Sequence, residues 1–128
     1  MPKAIDVEAV LGTLTPLRGR GPETVEADEG EAFATLASFD KGAVFVGSFD
    51  GESPWERHRG GDELVHILKG ETSLTILTDN GEHLLSLKAG MLTVVPKACW
   101  HRFSSPCGVT VLTVTPQPTE HSTADDPR

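Results

Sequence analysis

From Ala32 to Pro116 the chain is broken into short apolar runs separated by turn signals at roughly 8–12-residue spacing, the pattern of a sandwich or barrel. The predicted strands are Phe33 to Ser38, Ala43 to Phe49, Leu64 to Leu68, Leu74 to Leu77 and Leu84 to Leu87. Met91 to Val95, Trp100 to Ser104 and Val109 to Thr115 follow. Asp79-Asn80-Gly81 is a tight-turn signal that predicts a hairpin, and Ala89-Gly90 marks a second turn. Thirteen glycines and nine prolines in 128 residues suit many short strands joined by turns. The chain is therefore expected to be all-β, one domain with one core.

The flanks read differently. Residues 1–31 are expected to form an adapter outside the barrel. Asp6 to Leu11 can make a short helix, with Asp6 as N-cap and Gly12 as stop. Pro16 to Gly30, rich in Gly, Pro and Glu, reads as an exposed connection. The barrel is assigned to residues 32–116. Residues 117–128 are polar and read as a frayed tail; a role for His121 in closing a barrel mouth is the less favoured alternative.

Four residues carry candidate chemistry: Glu56, His58, Glu63 and, 38 residues beyond Glu63, His101. Alternate residues of a strand share a face, so Glu56 and His58 should point the same way. Glu63 opens an apolar strand, where a carboxylate is costly to bury without a cation or strong partner. Two imidazoles and two carboxylates converging in a small barrel would make a divalent-cation site. Phe103 shares strand parity with His101 and is expected to wall the same cavity, with Val65 and Ile67. Trp55 and Trp100 should face away from it, as exposed aromatics of a subunit interface. His66 should also face away, and His83 is read as solvated.

These residues resemble the two motifs of the cupin superfamily. The first reads Glu56-x-His58, four residues, Glu63, six residues, Gly70. The second reads Gly90, five residues, Pro96-x-Ala98, two residues, His101, three residues, Ser105. The resemblance covers roughly residues 33–115 and implies a double-stranded β-helix, or jelly roll, and a homodimer. Three positions depart from the family pattern. Glu56 replaces the first His, Ala98 the turn Gly, and Ser105 the Asn. Glu56 hardens the expected site toward Mn²⁺, Fe²⁺ or Zn²⁺ over Cu⁺.

The expectation is one divalent ion per chain (Fe, Mn, Zn or Ni) held by Glu56, His58, Glu63 and His101. Glu63 is the expected catalytic carboxylate, and a small molecule the expected ligand or substrate. A dioxygenase- or isomerase-like enzyme is the favoured function. The alternatives are a non-catalytic small-ligand-binding module and a metal-free structural dimer. A formal charge of −8 argues against nucleic acid or anionic membrane as partner. With no leader pattern and two cysteines read as reduced thiols, a cytoplasmic location is expected.

Overall fold

In the computed structural model, which describes residues 2–24 and 30–128, the regular structure is almost all strand. A short helix α1 (Val7–Leu11) is followed by β1 (Leu17–Arg20), β2 (Phe33–Phe39), β3 (Gly42–Glu52) and β4 (Trp55–His58). Then come β5 (Glu63–Thr78), β6 (Gly81–Lys88), β7 (Leu92–Val95), β8 (His101–Pro116) and β9 (Thr119–Ser122). The helix starts where the sequence signals it: Asp6 accepts a hydrogen bond from the Ala9 N–H at 3.0 Å, and Gly12 caps the other end.

The barrel is organised by its two long strands. β8 runs antiparallel to β3 on one side and to β5 on the other. β5 also pairs with β6 and β7, while β3 carries β2 and β1 at its other edge. The predicted strands Leu64–Leu68 and Leu74–Leu77 are both parts of β5, and Trp100–Ser104 and Val109–Thr115 both fall in β8, apart from Trp100. Each long strand turns a corner instead of ending. At Gly70, φ is +74°, and a Cβ would lie 2.4 Å from the Gly108 carbonyl oxygen, so this position accepts glycine alone. That is the physical role of the glycine closing the first motif. The expected hairpin is present, with Thr78 paired to Gly81 across the turn.

Period-2 alternation aims Phe49, Val65, Ile67, Leu74, Ile76, Phe103, Val109 and Val111 into one buried cluster, with Leu87 and Val95. Each such side chain contributes roughly 1.5–3 kcal/mol by leaving water. Val65 and Ile67 are 0 % exposed. They hold the inner face as expected, but inside this core and not on the cavity wall.

Three further expectations are corrected. Leu17–Arg20, read as exposed connection, is a strand parallel to β3 that buries Arg20; residues 25–29 of that stretch lie outside the described residues. The tail is not frayed throughout. Thr119–Ser122 pairs antiparallel with β4, bringing Trp55 opposite Ser122 and His58 opposite Thr119. Trp55 and Trp100 do face away from the cavity, but they are 4 % and 8 % exposed and pack with Leu77. The guanidinium groups of Arg102 and Arg57 cover them, each 4.4 Å from a ring centre, and the Trp55 indole N–H donates to the Asp125 carbonyl at 3.3 Å. Strand parity fixes which way a side chain points; it is silent on what covers that side.

Candidate metal centre

Three elements and two turns build the site. His58 ends β4, Glu63 begins β5 and His101 begins β8. Glu56 pairs with His101 across β4 and β8, which sets the two motifs side by side. The turns are tied together: the Ala98 N–H donates to the His58 carbonyl at 3.0 Å, and the Lys97 N–H to Asp62 at 2.8 Å. Ala98 sits at φ +63°, so it adopts the left-handed conformation for which the family pattern has glycine. The substitution keeps the turn's shape, at the expense of strain.

Glu63, buried with His58 and His101, is the centre of the cluster. His58 Nε2 lies 3.3 Å from one of its oxygens and His101 Nε2 3.0 Å from the other. One candidate ligand atom from each of these three residues lies within 4.8 Å of the others. These approaches are close, but His58 Nε2 and Glu63 Oε1 have no well-directed hydrogen-bond partner despite complete burial. Burial alone would raise the Glu63 pKa. The adjoining His101 and His58 imidazoles outweigh it and hold the carboxyl far below the usual range. Burial would lower the His101 pKa, and the neighbouring Glu63 carboxylate overcomes that and raises it.

The far sides of the rings are fixed. His101 Nδ1 lies 3.1 Å from the Cys99 carbonyl oxygen, which can only accept, so this nitrogen carries the proton. His58 Nδ1 lies 3.0 Å from Thr119 Oγ1. Thr115 Oγ1 donates to Glu63 Oε2 at 2.6 Å and itself contacts Thr113 Oγ1 at 2.8 Å. Partners of this kind orient metal-binding imidazoles and leave Nε2 with a lone pair for a cation. The donor set, two imidazoles and one carboxylate, suits a divalent first-row metal.

Glu56 shares the cavity with this cluster but stands outside it. Its Oε2 is 3.4 Å from His121 Nε2, and its Oε1 is 3.9 Å from the Arg20 guanidinium. Burial would raise its pKa; the His121 contact and the Arg20 charge reverse this and lower it. Arg57 and Arg59 point outward, as alternation requires, and both bind Glu120. The cavity measures about 480 Å³, and its walls include Phe33, Phe45, Phe49 and Phe103 beside Thr113 and Thr115.

Arg20, Thr115 and Thr119 serve the site and escaped the sequence reading, and His121, read there chiefly as part of a frayed tail, lines the cavity beside Glu56. Arg20 and Thr119 lie in segments whose composition signals loop. Only their pairing with β3 and β4 brings them inside.

Fold and site together define a single-domain β-barrel with a His-Glu-His candidate metal centre. The cupin-domain family model matches residues 48–115, more than half of the chain, and this protein belongs to that family. No curated protein matches the chain significantly. Among solved structures, it is similar to a cupin-2 domain-containing protein from Shewanella frigidimarina. There the identity is 20 %, the TM-score 0.57, and the match covers 67 % of this chain and 80 % of the other. A hydroquinone 1,2-dioxygenase in complex with Cd²⁺ and 4-hydroxybenzonitrile matches at 17 % identity and TM-score 0.60, covering 88 % and 72 %. Bacillus subtilis oxalate decarboxylase matches at 15 % and 0.58, covering 70 % of this chain and 26 % of the enzyme. At these identities the likeness is one of fold.

Proposed function

We propose that the barrel holds one divalent metal ion on His58, Glu63 and His101 and acts on a small molecule in the adjoining cavity. The supporting observation is the buried Glu63 carboxylate flanked by two Nε2 atoms, with His58 Nε2 and Glu63 Oε1 lacking directed partners. A buried arrangement of that kind is costly unless a cation satisfies it. Fe, Mn, Zn and Ni all suit the donor set.

The metal would supply Lewis acidity, or with iron a route to O₂, and a three-residue set leaves positions open for substrate. The chain's own residues do the rest. Thr115 and the Cys99 carbonyl hold Glu63 and His101 in place. The phenylalanine wall excludes water from the substrate's apolar part. Glu56, whose lowered pKa keeps it a carboxylate, would accept a hydrogen bond from substrate beside His121. A dioxygenase- or isomerase-like reaction fits this layout; Glu56 remains a fourth donor within the same cavity. The likeness to a hydroquinone dioxygenase supports the fold's capacity for such chemistry, not the substrate.

We also propose a homodimer. Leu92 and Val94 of β7 are 56 % and 48 % exposed, and Leu84 and Met91 add further exposed apolar surface. Such surface on strands suits a subunit contact. No helix among the described residues is long and apolar enough to cross a membrane.

Elemental analysis by plasma mass spectrometry, on the parent and on a His58→Ala/His101→Ala double variant, tests the metal assignment. Near-stoichiometric metal in the parent and none in the variant is expected. A parent that remains empty after incubation with Fe²⁺, Mn²⁺, Ni²⁺ and Zn²⁺ would overturn it. Water-proton relaxation with Mn²⁺ then separates an enzyme, with exchangeable water, from a binding module with a closed metal site.

A further inference from the structure

Thr113 and Thr115 stand two residues apart on β8, so strand alternation brings both side chains into the cavity. Their hydroxyls lie 2.8 Å apart, and that of Thr115 is 2.6 Å from Glu63 Oε2. A threonine hydroxyl has one proton to donate and two lone pairs to accept with, whereas a carboxylate can only accept. The Thr115 proton is therefore committed to Glu63. The bond between the two threonines then has one possible sense, with Thr113 donating and Thr115 accepting. Thr113 is left with acceptor capacity alone for whatever enters the cavity.

The row of bonds from Thr113 through Thr115 to Glu63 takes its direction from the buried anionic end. Glu63 and Thr115 are 6 % and 5 % exposed, and Thr113 is only half-buried. The hydroxyl that a ligand can reach is thus the last one in the row. Its surroundings on the cavity wall are apolar. Phe45 stands opposite Thr113 in the β3–β8 pairing, and Phe45, Phe49, Phe103 and Val111 line the same cavity. A ligand O–H or N–H group placed there replaces the water it displaces from Thr113. A carbonyl or ether oxygen in the same place would set lone pairs against lone pairs and leave the hydroxyl unsatisfied.

We propose that Thr113 is a specificity-determining residue: the cavity takes a small molecule that offers a neutral hydrogen-bond donor to the Thr113 hydroxyl and an apolar body to the phenylalanines. The analogue with only an acceptor at that position is rejected. This rests on the small-molecule reading of the cavity given above and goes further by naming the group that is recognised.

The test uses the full chain with Zn²⁺ in excess and two uncharged probes of similar size, cyclohexanol as donor and cyclohexanone as acceptor only. Isothermal titration should show cyclohexanol binding about fivefold more tightly. The near-isosteric Thr113→Val should bring the two probes to within about twofold, and Thr113→Ser, which keeps the hydroxyl, should keep the preference. Thr115→Val makes the sharper test. It removes the acceptor of the Thr113 proton, so Thr113 becomes able to donate to the ketone, and the preference should narrow although Thr113 itself is intact. Full preference surviving in Thr113→Val would mean that another group, or the ion, recognises the alcohol. Full preference surviving in Thr115→Val would mean that Glu63 does not set the polarity. Either result, or equal binding of the two probes by the parent, would overturn the proposal. Neither probe binding the parent at millimolar concentrations would defeat the small-molecule reading and this one with it. Zinc content, measured beside each titration, reports on the metal assignment separately.

Discussion

His58 of β4 and Thr119 of β9 meet through Nδ1 and Oγ1 at 3.0 Å, so the chain's last strand sets the orientation of a candidate metal ligand. Glu120 and His121 extend the same seam, the one binding Arg57 and Arg59 on the outer face, the other reaching Glu56 in the cavity. Replacing Thr119 with the near-isosteric Val should leave the barrel folded and weaken metal binding about 10–100-fold, the usual range for loss of a ligand's outer partner. Competition against a fluorescent chelator would measure this; unchanged affinity would show that the hydroxyl does not orient the ring.

The two carboxylates should respond differently to amide replacement. Glu63→Gln removes the anionic candidate ligand at the centre of the cluster and should abolish stoichiometric metal. Glu56→Gln alters a side chain engaged by His121 and Arg20, and should retain the metal with less than about tenfold loss of affinity. Metal content and chelator competition on both variants decide the matter. Loss of metal from Glu56→Gln would establish the fourth ligand.

Stability without metal should depend on pH in two directions. The Glu63 carboxyl lies below its ordinary value of 4.5. Its contribution is therefore present above that value and lost as pH falls through the folded value. The His101 pKa lies above its ordinary 6.5, so its contribution is complete below 6.5 and lost as pH rises through the folded value. Metal-free protein should be most stable between about 4.5 and 6.5. Added Zn²⁺ should raise Tm most on the alkaline side, where His101 Nε2 offers its lone pair. Thermal melts with chelator and with Zn²⁺ across this range would show it; a metal-free Tm rising steadily to alkaline pH would contradict it.

Truncation after Pro118 removes β9 and the Asp125 carbonyl that receives the Trp55 indole N–H. Tryptophan emission should shift to longer wavelength and Tm should fall, with the far-ultraviolet signature of the sheet preserved. An unshifted spectrum would mean that the tail does not cover the Trp55–Trp100 cluster in solution.

Ala98 holds a left-handed conformation, φ +63°, that costs an L-residue about 1–2 kcal/mol. Ala98→Gly relieves this but adds chain entropy to the unfolded state, so a net gain of about 0.5–1 kcal/mol is expected from denaturant melts. Destabilisation would show that the alanine methyl makes a compensating contact.

The sequence alone determined the all-β class, the Asp79–Gly81 hairpin, the Asp6 cap and the inward parity of His58, Glu63 and His101. Each of these depends on residues within a few positions of one another, through strand alternation, turn chemistry or capping. The two-motif resemblance extended that reading to the barrel itself. Tertiary structure decided what local pattern cannot encode: which distant segment lies beside a strand. It drew Arg20 into the cavity through β1, laid Thr119 and His121 across β4, and sealed Trp55 and Trp100 beneath arginines and tail. It also placed Val65 and Ile67 in the core instead of on the cavity wall. The physical reason is that Leu17–Arg20 and Thr119–Ser122 are too short and polar to form strands alone. Their backbone donors and acceptors find partners only on the edges that the folded barrel presents.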